Sequence, residues 1–411
     1  MVFLNIRSLL GLHTGTTPLR GTHLDHLPSI QDAYLQVEEG RITDFGPMHA
    51  WQPERLRPGG QIYDASGKFV LPAWCDSHTH AVFAGSREQE FEDKIKGVSY
   101  EEIARKGGGI LSSARMIAQT DEQALYEQAF ARLRQLQRCG TGALEIKSGY
   151  GLNTENELKM LRVIRRLKEN SAMTIKATFL GAHTYPPAYK NDHAGYLREI
   201  TEEMLPRIAD QGLADFIDVF CEEGFFSVSE TDAILEAGVR YGLKPKIHAN
   251  QLHCSGGVQA GVRHNAVSVD HLENIGPDEI ECLRTAPLIA TLLPTAAFFL
   301  RLPYPPARQL IEAGAAVALA TDFNPGSSPS GNMPLLLAMS CIQMRMSPAE
   351  VINAATFNGA CAMEVQDNVG SISAGKWANL IITNPLPSLP YWFYAFGDHH
   401  ICDVMIKGKW V

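Results

Sequence analysis

The chain has 411 residues, 45% of them hydrophobic and 20% charged, an ordinary balance for a folded protein with a large core and a minor second domain. Its net charge of −9 gives no electrostatic reason to expect nucleic acid or an anionic membrane surface as a partner. No apolar run approaches the roughly 20 residues that span a bilayer, and the N-terminal MVFLNIRSLLGLHTG does not read as a signal peptide. The eight cysteines are scattered without a CxxC, so they are expected to be reduced, mostly buried thiols of a cytoplasmic protein.

Residues 31–46 (QDAYLQVEEGRITDFG) alternate around an EEG turn, which predicts a hairpin. Residues 1–65 are therefore expected to form the first part of a small β domain. After residue 65 short β-rich runs alternate with helical stretches. The runs are 69–74, 141–147, 174–182, 215–221, 244–249, 266–270, 287–293 and 315–321. Amphipathic segments such as 121–138 and 154–168 lie between them. Eight βα units over residues 66–365 predict an α/β fold, a (β/α)₈ TIM barrel. A doubly wound sheet would usually show fewer units and a glycine-rich phosphate turn after its first strand, and neither is present. Residues 377–383 and 401–410 again alternate, with KG as a turn. They predict that 366–411 completes the small β domain, a β-sandwich built from both termini. Pro385 to Pro390 reads as a proline-rich loop inside it.

Barrel enzymes keep their chemistry at the C-terminal ends of the strands. The stretch CDSHTHAVFAG (75–85) follows the first run and places His78 and His80 two apart, on one face of an extended chain. An HxH pair alone is as compatible with two satisfied polar histidines as with two metal ligands. KIHAN puts His248 at the end of run five, and LATDFNPGS puts Asp322 at the end of run eight. Three imidazoles and a carboxylate converging on one mouth make a complete set for one divalent ion, zinc or iron. As packing they would be costly, because each buried polar group needs a partner. His183 and His271 end runs three and six. Each could be a further ligand, a group that orients water, or a loop histidine.

These positions, together with the terminal β domain, resemble the amidohydrolase superfamily. Members with two metals typically carry a lysine or another bridging ligand at the end of strand four. Here that end reads VFCEEGFF, so one metal ion is expected. Within the superfamily the chain is similar to the imidazolonepropionases, the ring-opening hydrolases of histidine degradation. The likeness is carried by SREQEFEDKIKGVSYEEIARKGGGILSS (86–113), EIKSGYGLN (145–153), FLGAHTYPP (179–187), KIHANQL (246–252) and TDFNPGSSP (321–329). The first stretch is long and particular, whereas the superfamily motifs alone leave many substrates open.

The resemblance implies hydrolysis of the cyclic amide of 4-imidazolone-5-propanoate to N-formimidoyl-L-glutamate by a metal-activated water. The metal would sit on His78, His80, His248 and Asp322. Asp322 would shuttle the proton, and His271 would hold the nucleophile in line. Arg87 would take the carboxylate tail, since a guanidinium fork suits a carboxylate. Tyr100, Tyr150 and His183 resemble groups that bind the ring and the tail. In NPGSS, Gly326 would allow close backbone approach to the ligand, and Asn324 and Ser327 would offer hydrogen bonds. The same segment also reads as a turn. Some relatives have glutamate where this chain has Gln251. An amide cannot serve as a base, so Gln251 is expected to hydrogen-bond the ring. Glu222 and Glu223 are further carboxylates near the mouth. The competing readings are another mononuclear amidohydrolase, such as a purine or pyrimidine aminohydrolase, and a non-catalytic assembly protein of the same fold. The first would need no cation for a tail, and the second predicts missing ligands. The chain is compatible with a homodimer, for which the sequence singles out no interface.

Overall fold

The computed structural model describes residues 1–98 and 108–411. Eight parallel strands form one sheet in simple sequential order: Trp74–Asp76, Thr141–Lys147, Thr174–Ala182, Phe216–Cys221, Lys244–Ala249, Ser268–His271, Ile289–Leu292 and Ala316–Leu319. The first and last meet through a bridge between Thr79 and Phe323, with the Asp322 amide donating to His78 O at 2.9 Å. That contact closes the barrel directly beneath the HxH pair. Most of these strands are buried on both faces, as parallel strands covered by helices must be.

The covering helices show the expected chemistry. Helix Glu122–Arg138 starts at Asp121, whose carboxylate accepts from Ala124 N, and it buries Leu125, Ala129, Leu133 and Leu136 at helical spacing. Helix Thr154–Asn170 is capped in the same way by Asn153. No described helix is long and apolar enough to cross a membrane.

The two ends of the chain build a second, mixed eight-stranded sheet. The predicted hairpin forms strands Ser29–Glu38 and Arg41–Pro47, and Ile401–Ile406 turns through Lys407-Gly408 into Lys409–Trp410. A bridge from Arg41 to Trp377 brings the far strand back toward Leu380–Thr383. The sheet thereby curls around its own apolar filling of Phe3, Ile6, Leu35, Val70, Leu380 and Met405.

Three expectations need correction. The run 69–74 is not one strand. Phe69–Pro72 pairs with Val2–Leu10 and Leu380–Thr383 in the terminal sheet, and the barrel strand begins at Trp74. The proline breaks the run, and the terminal sheet reaches past residue 65. The Pro385–Pro390 loop gives way to a short helix at Leu389, where Pro390 occupies the first turn and needs no amide. All eight cysteines are free, but only Cys75, Cys221 and Cys361 are buried, and Cys254 and Cys402 are exposed.

Candidate active site

The strand ends turn sharply into the mouth. Leu152, Asn250, His271 (φ 89°), Leu272 and Asp322 (φ 52°) all adopt left-handed backbone there. Such conformations cost of order 1–3 kcal/mol each and persist only where the surroundings dictate them. The consequence is that His271 and Asp322 are directed toward the HxH pair rather than along their strands. The ligand atoms of His78, His80 and Asp322 lie within 4.8 Å of one another, as do those of His78, His248 and His271. Asp322 Oδ1 is 3.4 Å from His78 Nε2 and 3.5 Å from His80 Nε2. All five groups are buried.

These residues fit a metal ion. His78 Nε2 and His248 Nε2 are buried without a hydrogen-bond partner among the described residues, a costly arrangement that a cation would relieve. Their other nitrogens face carboxylates below. His78 Nδ1 donates to Asp270 at 2.6 Å, and His248 Nδ1 lies 2.9 Å from Asp218. The Asp270 hydrogen bond fixes the His78 ring and directs its free nitrogen at the centre, whereas Asp218 stands close to His248 Nδ1 outside hydrogen-bond geometry. Burial, then Lys147, holds His78 well below the ordinary histidine range, and burial, then His183, does the same for His80. Both are therefore neutral, the form that binds metal. Burial pushes the Asp322 carboxyl up to about 6 against the pull of His271 and His248. Burial alone would lower His271, but Glu273, then Asp322 and Asp270, leave it raised.

Beneath the histidines lies a fully buried charge network that the sequence reading passed over. Lys147 Nζ donates to Glu145 at 2.6 Å and to Asp218 at 2.7 Å, and is 3.5 Å from Asp270. Lys246 pairs with the other oxygen of Glu145. Burial disfavours the charge on Lys147, yet Asp218, Glu145 and Asp270 more than offset it and raise its pKa. A signal was present. TGALEIK and KPKIHA carry charged residues inside runs that otherwise read as core strands.

Above the cluster opens a cavity of about 380 Å³, lined by His80, Tyr150, His183, Gln251, His271 and Asp322, with Arg87, Asn324, Gly326 and Ser327 further along its wall. Of the expected site residues, Tyr100 lies outside the described residues. His183 Nδ1 donates to Gly149 O at 3.0 Å, and burial pulls the ring down to about 3. It is therefore neutral, and its free nitrogen is an acceptor. Tyr150 is buried beside it, with ring centroids 5.4 Å apart. Arg87 stands at the N-cap position of helix Glu88–Ile95 without capping it, and its Nε and Nη2 both donate to Glu90.

Two expectations change in detail. A Cβ on Gly326 would fall 1.9 Å from Arg87 Nη1, so the glycine makes room for the guanidinium rather than directly for a ligand. Asn324 is used within its own turn: its amide donates to Asp322 O and Ser327 Oγ and accepts from the Gly326 and Ser327 amides. It shapes the wall and has no hydrogen bond left over. Glu223 is exposed. Glu222 is buried and accepts from the amides of Glu223, Leu252 and His253. It is occupied in pinning the loop that carries Gln251.

Residues 69–411 match the Amidohydrolase family. The chain is 53% identical over 406 residues to the imidazolonepropionase of Flavobacterium johnsoniae, covering 98% of both chains. It is 40% identical to that of Caldanaerobacter subterraneus over 396 residues, covering 96% of this chain and 94% of the other. The chain belongs to the imidazolonepropionase family. Among solved structures, Escherichia coli guanine deaminase superposes with a TM-score of 0.75 at 16% identity, over 100% of this chain and 98% of the other. The 5-methylcytosine deaminase of Klebsiella pneumoniae gives 0.73 at 16%, over 100% and 97%. At that identity the likeness shows a shared amidohydrolase fold.

Proposed function

We propose that this protein is a hydrolase that opens the cyclic amide of 4-imidazolone-5-propanoate. Water adds to the ring carbonyl, the ring C–N bond breaks, and N-formimidoyl-L-glutamate leaves. The observation that carries the reading is a buried cluster of histidines and Asp322, two groups of possible ligands that share His78, with a guanidinium on the wall of the same cavity. The cluster suits amide hydrolysis, and the guanidinium suits a substrate with a carboxylate tail. One divalent ion, zinc or iron, would be held by His78, His80, His248 and Asp322. When bound it would polarise the carbonyl and make water nucleophilic near neutral pH.

The chain's own groups supply the rest. Asp322 accepts the water proton and returns it to the departing ring nitrogen, the only carboxylate among the cavity-lining residues described. His271, held raised by Glu273, donates to the oxygen that attacks. His183 accepts from a ring N–H, and Gln251 hydrogen-bonds the ring from the opposite loop. Arg87, with Gly326 making space beside it, binds the propanoate. Tyr150 packs against the ring, and Ser327, whose Oγ donates to Asp322 at 3.2 Å, steadies the base. The free cysteines support a reducing, cytoplasmic setting.

The test is product analysis. Incubation with 4-imidazolone-5-propanoate should give N-formimidoyl-L-glutamate, a gain of one water, with no ammonia. Ammonia released from a purine or pyrimidine, with the imidazolone left intact, would instead place the activity with the deaminases.

A further inference from the structure

Helix Glu88–Ile95 presents two cations to the cavity. Arg87 and Lys94 are seven residues apart, two turns of helix, and so share one face. Glu90 lies between them on that face. It accepts from both Nε and Nη2 of Arg87. Lys94 is half-buried, and it forms no ion pair among the described residues. Its Nζ donates to Gly326 O at 3.2 Å and faces the Phe299 ring at 5.3 Å. Phe91, on the same helix, stacks on Phe299 at 5.5 Å and ties the helix to that wall. Both cations thus converge on Gly326 with a single carboxylate between them. Arg87, Glu90 and Lys94 together leave one net positive charge on this face of the helix. Burial, then the neighbouring Arg87, lowers the Lys94 pKa, and Glu90 opposes them.

We propose that Lys94 is a second cationic contact for the substrate's carboxylate, and that it sets the preference for a charged tail. The inference rests on the ring-opening activity proposed above. Arg87 is already paired with Glu90, so of the two cations on this helix the one left without an ion pair among the described residues is Lys94, with Arg301 a further cation elsewhere on the cavity wall. The carboxylate then bridges the two cations over Gly326. A ring without an anionic tail gains nothing from this pair.

The test compares 4-imidazolone-5-propanoate with its uncharged propanamide analogue on wild type, Lys94→Met and Lys94→Arg. The methionine keeps an apolar stem against Phe299 and removes the charge together with the hydrogen bond to Gly326 O, a loss both substrates would feel alike. Lys94→Met should raise KM for the carboxylate about tenfold or more with kcat little changed. KM for the amide should change far less, and Lys94→Arg should restore most of the loss. An unchanged KM for the carboxylate, or an equal rise for both substrates, would overturn the assignment. A wild-type enzyme that leaves both rings intact would overturn the proposed reaction itself.

Discussion

His78 Nδ1 donates to Asp270 Oδ2 at 2.6 Å, with both side chains fully buried. The bond decides which nitrogen of His78 faces the cluster. Asp270→Asn should leave the fold in place but loosen that ring, and weaken metal binding about 10–100-fold. Competition with a chelator measures this without any assay of turnover. An unchanged affinity would mean that His78 is held by packing alone.

Lys147 ties Asp270 to Asp218, and so links the supports of two histidines. Lys147→Met strips the countercharge from buried carboxylates. It should cost about 3–5 kcal/mol of stability in denaturant unfolding. Lys147→Arg should recover part of that loss. A Lys147→Met protein as stable as wild type would show that the network is not a structural keystone.

Arg87→Ala should weaken substrate binding by about 2–5 kcal/mol, seen in KM, without lowering metal content. Gly326→Ala should act in the same direction from the other side, because its methyl would overlap the guanidinium. If KM is unchanged in both, the tail binds elsewhere.

His13 gives a pH prediction away from the site. It is buried, its Nε2 bonds Asn353 Oδ1 at 2.8 Å, and burial above all lowers its pKa. A lowered folded value means that the unfolded chain takes up the proton first. Stability from this group is therefore complete above the unfolded value near 6.5 and declines as pH falls below it. Melting curves from pH 7.5 to 5 should fall more steeply for wild type than for His13→Gln. Parallel curves would contradict the assignment.

The barrel and the buried cluster of histidines with Asp322 were legible because strand ends carry polar residues against an apolar background. HxH, KIHAN and TDFNPG each stand out in that way. The supports were harder to read. Glu145, Lys147, Asp218 and Asp270 alternate with apolar residues inside core strands, and only the closed barrel shows that they meet. Similarly, no local pattern distinguishes Gly326 as space for Arg87, since the two are brought together by the fold. The split at Ala73 escaped notice because both halves of the run 69–74 are equally apolar.

The central claim is that Asp322, which faces His78 and His80, moves the proton. Gln251 cannot, and the oxygens of Glu222 are occupied by backbone amides. The direct measurement is kcat for ring opening by Asp322→Asn and Glu222→Gln, each at measured full metal loading. Asp322→Asn should lose at least about 10²-fold, while Glu222→Gln, which keeps an acceptor oxygen for the Leu252 amide, retains most of its turnover. Near-normal turnover by metal-loaded Asp322→Asn, with Glu222→Gln inactive, would contradict the account.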